Sequence, residues 1–100
     1  MKFYIAGKIT GDPNYKEKFD KAEKALVRLG HSVMSPAWLK EYCEFSYNDY
    51  IFISSAMQSK CDAILLLPDW SNSSGATAEY QKALQTNQAV YFDISDIPSA

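Results

Sequence analysis

The sequence predicts an α/β fold: a small doubly wound parallel sheet of about four strands, flavodoxin- or Rossmann-like, with helices on both faces. Short apolar segments alternate with longer segments whose apolar residues recur every three or four positions, which is typical of βαβ units. Residues 63–67 are five apolar residues between an acid and a proline, as in a parallel strand covered on both faces. A chain of 100 residues builds one apolar core, so we expect a single domain over residues 1–100.

The first strand is predicted at residues 2–6, and a turn over residues 7–11 follows it. Asp12 is predicted as the N-cap of the first helix, with Pro13 in the first helical position. Gly30 is predicted as the C′ residue that ends this helix. The apolar residues that the helical period places on its buried face are Tyr15, Phe19, Ala22, Leu26 and Leu29.

The later elements follow the same alternation. A second strand is predicted at residues 31–34, and the aromatic residues between 37 and 46 predict a packed loop or a helical turn. A second helix over residues 47–60 is expected to bury Tyr50, Ile53 and Met57. After the strand at 63–67 come a helix over about 75–86 and a last strand at 89–92. The residues predicted to face inward from that last helix are Ala76, Tyr80, Ala83, Leu84 and Asn87.

Composition disfavours several classes of function. A net charge of −2 and a pI near 5.2 disfavour nucleic-acid binding, and the lysines between residues 16 and 24 alternate with acids, as on a solvated helix face. Cys43, Cys61 and one histidine do not form a zinc or disulfide pattern, so we expect no metal. No signal peptide and no apolar run of membrane-spanning length are present, which predicts a cytoplasmic protein without a membrane partner.

Two polar loops are expected to meet in one crevice. In a flavodoxin-like strand order of 2-1-3-4, the loops leaving the first and third strands flank the switch point, where open α/β sheets bind ligands. These loops are residues 7–11 and 68–74. The first contains Gly7 and Lys8 but lacks the spacing of a Walker or dinucleotide motif, so it is either a tight turn or a phosphate cradle. No cofactor is predicted, and the ligand is expected to be small and polar, either anionic or rich in hydroxyls.

Glu79 is the strongest candidate for chemistry. It falls on the edge of the inward face of its helix, beside small residues that leave room for a ligand. The alternative is an acid near the helix N-terminus that points to solvent. Tyr4 is either a core aromatic residue or a hydroxyl that orients a carboxylate in the crevice.

The remaining candidates each have two interpretations. Asp62 opens the third strand, where an acid often bonds nearby backbone, and Asp69 is a turn residue at the mouth of the crevice. Trp70 is either a lid over the site or a loop anchor. Ser73 and Ser74 suit a helix N-cap, and with Gly75 the same hydroxyls could hold a phosphate.

Together these segments resemble the DUF4406 family, over nearly the whole chain and least well in the aromatic-rich middle. The residues that carry the resemblance lie at 4–11, 61–64, 68–70, 73–76 and 79–80. The family is similar to the nucleoside 2-deoxyribosyltransferases and the 2′-deoxynucleoside 5′-monophosphate N-hydrolases, which have a Rossmann-like fold, form homo-oligomers and break N-glycosidic bonds. The resemblance implies that Glu79 is a nucleophile attacking C1′, that Tyr4 positions it, and that Ser73 holds a 5′-phosphate.

One position departs from this pattern. The resembled enzymes usually have an aspartate eight residues before the position of Asp62, and here that residue is Ser54, which is a poor proton donor at neutral pH. The sequence therefore leaves two hypotheses. The first is an enzyme that cleaves or transfers at the N-glycosidic bond of a deoxynucleoside or nucleotide, and the second is a non-catalytic nucleotide-binding module. The aromatic residues between 38 and 45, together with the resemblance, predict a homo-oligomer.

Overall fold

A computed structural model describes residues 1–42 and 44–100, apart from the side chain of Lys40. Cys43 therefore lies outside the described residues. The strands are β1 (Lys2–Ala6), β2 (Ser32–Met34), β3 (Ala63–Leu66) and β4 (Ala89–Tyr91), and the helices are α1 (Tyr15–Arg28), α2 (Tyr47–Ser59) and α3 (Ser74–Gln85). All paired strands are parallel and their order is β2-β1-β3-β4, which confirms the predicted α/β fold and strand order. Short 3₁₀ helices lie at Pro36–Glu41, Trp70–Asn72 and Ile94–Asp96.

Helices cover both faces of the sheet, as predicted. Because successive side chains of a strand point to opposite faces, β1 and β3 each contribute to two core layers. On one face, Phe3 and Leu65 pack with Phe19 and Leu26 of α1. The layer on the other face contains Tyr4, Ala6, Ile64 and Leu66 of the strands with Ala76 and Ala83 of α3. Both central strands are therefore buried, and the sheet has no open face at its centre.

The two ends of α1 differ in how well the sequence predicted them. The predicted cap at Asp12 is wrong, because the helix begins two residues later than expected, at Tyr15, and its N-cap residue Asn14 makes no side-chain bond. The Asp12 carboxylate instead accepts from the backbone N–H of Asn14 at 2.9 Å, which forms a turn before the helix. The C-terminal prediction is confirmed: Gly30 has φ +90°, and His31 N–H donates to the carbonyl of Leu26.

The buried face of α2 differs from the prediction. Its buried residues are Ser54 and Gln58, whereas the expected Tyr50, Ile53 and Met57 are only partly buried. Ser54 donates to the carbonyl of Ile51 and Gln58 Nε2 donates to the carbonyl of Glu79, which offsets part of the cost of burying these groups. Among the described residues, Gln58 Oε1 is buried without a hydrogen-bond partner.

Two inward-facing positions predicted for α3 are also wrong. The side chain of Leu84 is 52% exposed. Asn87 lies beyond the end of the helix, is exposed, and has φ +58°. The helix ends at Gln85, so the helical period does not apply to Asn87, where the chain turns toward β4.

Within residues 1–42 and 44–100, no helix has the length and apolar character needed to cross a membrane.

Candidate functional site

A cavity of about 420 Å³ lies where the carboxyl end of β1 meets α2 and the start of α3. The loop after β1 contributes Gly7 and Ile9, and the first turns of α2 contribute an apolar and aromatic wall. The start of α3 contributes polar groups, among them Ser73 and Ser74. Small-molecule sites commonly combine an apolar lining with a few converging polar groups, and cavities of this size hold small ligands. The predicted crevice at the switch point is therefore present.

A hydrogen-bonded pair from two different elements lines the cavity. Tyr4, in the middle of β1, is fully buried, and its hydroxyl donates to the carboxylate of Glu79 on α3. Burial raises the pKa of Glu79 from 4.5 to about 7, against the opposing effects of Tyr4, Lys82 and Ser54. Burial and the adjacent carboxylate raise the pKa of Tyr4 well above 10.0, so the phenol keeps its proton. Glu79 thus faces the cavity and titrates near neutral pH.

Such a carboxyl is suited to two kinds of chemistry. A group with a pKa close to the working pH can act as a general acid or base, and its ionised form can act as a nucleophile. The Tyr4 hydroxyl donates to one carboxylate oxygen, Oε2, and Glu79 lines the cavity. Tyr4 is therefore both a core residue and an orienting hydroxyl, and its two interpretations do not exclude each other.

Two polar side chains of α2 lie next to Glu79. Ser54 is 7% exposed, lines the cavity, and acts to lower the pKa of both Tyr4 and Glu79. Its hydroxyl donates to the carbonyl of Ile51 at 3.2 Å. Gln58, one turn further along α2, donates from Nε2 to the backbone carbonyl of Glu79 at 2.8 Å. Gln58 therefore ties α2 to α3 at the position of the candidate carboxylate.

The start of α3 lies on the same cavity. The Ser73 hydroxyl accepts from the backbone N–H of Ala76 at 3.1 Å, so this serine is the N-cap of the helix. Ser73, Ser74 and Gly75 all line the cavity. The N-cap interpretation is correct for Ser73, and its hydroxyl proton remains available to a ligand because the cap bond uses only an oxygen lone pair.

Gly7 is buried against Leu67 and lines the cavity. A Cβ atom added at Gly7 would lie 2.9 Å from Leu67 Cδ1 and 3.0 Å from Leu67 Cβ, which is closer than ordinary contacts allow. Glycine is therefore needed here so that the loop after β1 can pass directly over the end of β3.

Lys8 and Asp69 brace the two loops and are not among the residues that line the cavity. The backbone N–H of Lys8 donates to Asp69 Oδ1 at 3.1 Å, and the ammonium of Lys18 forms ion pairs with Asp69 and Asp12. Burial opposes the charge of Lys18, but its bonds to Asp12 and Asp69 outweigh that effect and raise its pKa. Asp69 thus holds together the loops that follow β1 and β3.

Trp70 and Asp62 also lie away from the cavity lining. Trp70 packs against Tyr80 and Phe92, with ring centroids 4.8 and 6.0 Å away, which is the arrangement expected of a loop anchor. Asp62 is at the amino end of β3 and accepts from the backbone N–H of Lys2 at 2.9 Å. It therefore bonds backbone at the amino ends of the strands, away from the cavity at their carboxyl ends, as predicted for an acid that opens a strand.

Sequence reasoning missed several residues of the apolar wall. Tyr47, Ile51 and Leu39 line the cavity, as does Tyr50, which was assigned to the core. A local signal was available: Ser46 and Asp49 form a capping box, so α2 begins at Tyr47 and its first turn presents aromatic residues. Which of those residues would face a ligand depended on where α2 packs, and the sequence does not contain that information.

Within the part of the chain that the structure describes, Glu79 is the one ionisable carboxyl of the lining, and no group of three histidine, cysteine or acidic side chains is placed to hold a metal.

Two of three comparisons with known proteins found a match. The profile of DUF4406, a domain of unknown function, matches residues 1–92. The structure of a 2-deoxyribosyltransferase from Bacillus psychrosaccharolyticus superposes with a TM-score of 0.69 at 22% sequence identity, covering 90% of this chain and 69% of that one. Comparison with proteins of curated function finds no match. At this level of identity the likeness establishes a nucleoside 2-deoxyribosyltransferase-like fold.

Proposed function

Because this chain belongs to the DUF4406 family and its cavity is built around Glu79, we propose that it cleaves or transfers at the N-glycosidic bond of a deoxynucleoside or nucleotide. The observation that carries the proposal is the pair formed by the Tyr4 hydroxyl and the Glu79 carboxylate on a small-molecule cavity at the carboxyl ends of the strands. A structural neighbour is named a 2-deoxyribosyltransferase, which supports the same class of reaction.

In the proposed mechanism Glu79 is the nucleophile. Its ionised carboxylate attacks C1′ of the sugar as the bond from C1′ to the base nitrogen breaks, through an oxocarbenium-like transition state, and a glycosyl ester forms. Water or a second base then attacks C1′ and releases the carboxylate. Tyr4 holds the carboxylate in one orientation and stabilises its charge through the hydrogen bond. With a pKa of about 7, a substantial fraction of Glu79 is ionised at neutral pH.

The two sides of the cavity suit the two ends of a nucleoside. The apolar wall that includes Leu39, Tyr47 and Ile51 offers a surface for a planar base. The polar start of α3, with Ser73 and Ser74, offers hydroxyls and a helix N-terminus to the sugar or to a phosphate on it. Gly7 lets the β1 loop approach closely between them.

A non-catalytic nucleotide-binding module is the second candidate, and Ser54 is the observation that favours it. The resembled enzymes have an aspartate at this position, whereas here a hydroxyl bonded to the Ile51 carbonyl lies beside the pair. A protein of this kind would sequester a nucleotide by means of the same cavity without breaking it.

Incubation with a panel of deoxynucleosides and their monophosphates, with free base measured by chromatography, tests the proposal. We expect Glu79→Gln to keep ligand binding and to lower base release by about 10³-fold or more, the scale seen when a nucleophile is removed. Glu17→Gln, an acid-to-amide change at an exposed position of α1, is the matched control and should leave the rate unchanged. Base release by Glu79→Gln at the parent rate would contradict the nucleophile assignment. Tight binding without base release by the parent would favour the binding module.

A further inference from the structure

The described lining of the cavity contains few groups that could act as a general acid. Among the lining residues that the structure describes there is one carboxyl, that of Glu79, and there is no histidine, lysine, arginine or cysteine. The remaining polar side chains of this lining are hydroxyls and the amide of Asn72, which are weak proton donors at neutral pH. The Ser54 hydroxyl, which donates to the Ile51 carbonyl and also acts to lower the pKa of Glu79, is a weak proton donor of the same kind.

The small number of acids in the lining affects how the base can leave. When the bond between C1′ and a base nitrogen breaks, the bonding electron pair moves to the base. A neutral base then departs as an anion unless an acid protonates it, and general acids of this kind contribute about 10²–10⁴-fold. Glu79 cannot supply that proton while its carboxylate attacks C1′. The Tyr4 hydroxyl cannot supply it either, because it forms a hydrogen bond with the Glu79 carboxylate. A base that carries a fixed positive charge leaves as a neutral molecule and needs no proton.

The electrostatics of the cavity favour a cation as well. Glu79 is the one charged group of the described lining, and the aromatic residues Tyr47 and Tyr50 line the same cavity. A positive charge beside C1′ would lower the pKa of Glu79, which burial has raised to about 7, and would therefore increase the fraction of reactive carboxylate. The other groups that act on Glu79 are Tyr4 from β1, Lys82 from α3 and Ser54 from α2, and Lys82 is held by Ser55 and Ser59 of α2.

We propose that this site takes N-glycosides whose base is cationic through a quaternised ring nitrogen, such as pyridinium or N-alkylated purine nucleosides, in preference to neutral nucleosides. The inference rests on the proposed function and specifies its substrate class. One bond forms, from a Glu79 carboxylate oxygen to C1′, and one breaks, from C1′ to the base nitrogen. The electron pair of the broken bond neutralises the positive ring. Water then attacks C1′, the ester bond to Glu79 breaks, the carboxylate is restored, and the proton of the water passes to solvent.

The kinetic test compares substrates and variants at the same position. Nicotinamide 2′-deoxyriboside is a permanently cationic pyridinium nucleoside, N7-methyl-2′-deoxyguanosine is a cationic purine nucleoside, and 2′-deoxyuridine and 2′-deoxyinosine are neutral. After subtraction of the protein-free rate, we expect kcat/KM to be at least about 10²-fold higher for a cationic substrate than for the neutral ones. The two cations distinguish a pyridinium site from a purine site. Equal values for cationic and neutral substrates would overturn the inference.

Cationic substrates could react faster either because the site lacks an acid or because their bases leave more readily in any environment. Ser54→Asp distinguishes these two causes. A second carboxyl beside Glu79 would hold a proton, because two adjacent carboxyls cannot both ionise easily. It should raise the ratio of kcat/KM for 2′-deoxyinosine to kcat/KM for the cations by at least about tenfold. Ser54→Asn is the matched control, of similar size without an acid, and should not raise this ratio. A parallel rise for both substrate classes, or none for the neutral one, would count against the inference.

A binding test on the parent protein does not depend on turnover or on a Ser54 variant that folds. Calorimetric titration would compare 1-methylnicotinamide, a cation, with neutral nicotinamide. Because ionisation of Glu79 with a pKa of about 7 increases from pH 6 to pH 8, affinity for the cation should rise about tenfold over this range and affinity for nicotinamide should not. Glu79→Gln should abolish the rise.

The outcomes separate the two proposals. Base release that depends on Glu79 but is equally fast from neutral substrates refutes only the cation preference. No base release from any substrate, together with cation binding that increases with pH, refutes the enzymatic proposal and supports the ligand class. A cation affinity that is no higher than the affinity for nicotinamide at pH 8 contradicts the ligand class.

Discussion

Replacement of Glu79 by glutamine should make the protein more stable at neutral pH, although it removes the proposed nucleophile. The cavity holds the carboxyl in a poorly solvated place, where burial raises its pKa from 4.5 to about 7. A carboxyl whose pKa is higher in the folded state favours folding while it is protonated, and this advantage is lost as the pH rises from 4.5 through about 7. Glutamine keeps the shape of the protonated form and does not titrate.

The expected magnitude follows from the same values. A pKa that differs between folded and unfolded chains by this amount corresponds to about 3 kcal/mol in the free energy of unfolding. The stability of Glu79→Gln relative to the parent should therefore increase by up to about 3 kcal/mol between pH 4.5 and pH 8. The increase should fall mainly below pH 7 and level off above it. Functional groups that a site holds in a poorly solvated place commonly cost stability in this way.

Urea unfolding at several values of pH from 4.5 to 8, followed by circular dichroism, measures this difference directly. Glu17→Gln controls for the loss of one negative charge at an exposed position. A difference between Glu79→Gln and the parent that is constant across the pH range would refute the reasoning, since it would mean that the carboxyl titrates alike in the folded and unfolded chains. A variant that loses stability relative to the parent as the pH rises would refute it more strongly.

Three further predictions concern the fold and the assembly. Leu65→Ala should lower the free energy of unfolding by roughly 2–5 kcal/mol, because Leu65 is 2% exposed in the central strand; a much smaller loss in a urea titration would mean that the core can close the space. Gly7→Ala should cost about 1–3 kcal/mol through the clash with Leu67, whereas Gly75→Ala, whose added Cβ would meet atoms no closer than 3.8 Å, should cost nothing; equal effects in the same titration would contradict the packing argument. We also expect a homo-oligomer, because Trp38 and Phe52 are 51% and 78% exposed on neighbouring segments, and sedimentation at micromolar concentration that finds only an 11.3 kDa monomer would contradict this.

The sequence determined those features whose signal is local. Gly30 ends α1 because the residue after a helix C-terminus often needs a positive φ, and glycine adopts it at no steric cost. The apolar run at β3 predicted a strand buried on both faces, and the alternation of elements then led to the observed strand order. Glu79 could be singled out because the helical period placed it beside small residues on the inward edge of α3.

Tertiary structure alone decided which polar groups share the cavity. The buried face of α2 carries Ser54 and Gln58, although apolar residues were available on the same helix, because Gln58 finds the Glu79 carbonyl on α3. The Asp69 side chain is not part of the cavity lining and instead forms an ion pair with Lys18, which is 51 residues away in sequence. A periodic pattern specifies the side of an element that is buried only when burial follows hydrophobicity. A polar side chain can be buried because it bonds a residue distant in sequence. The local pattern does not reveal that residue, and only the folded structure identifies it.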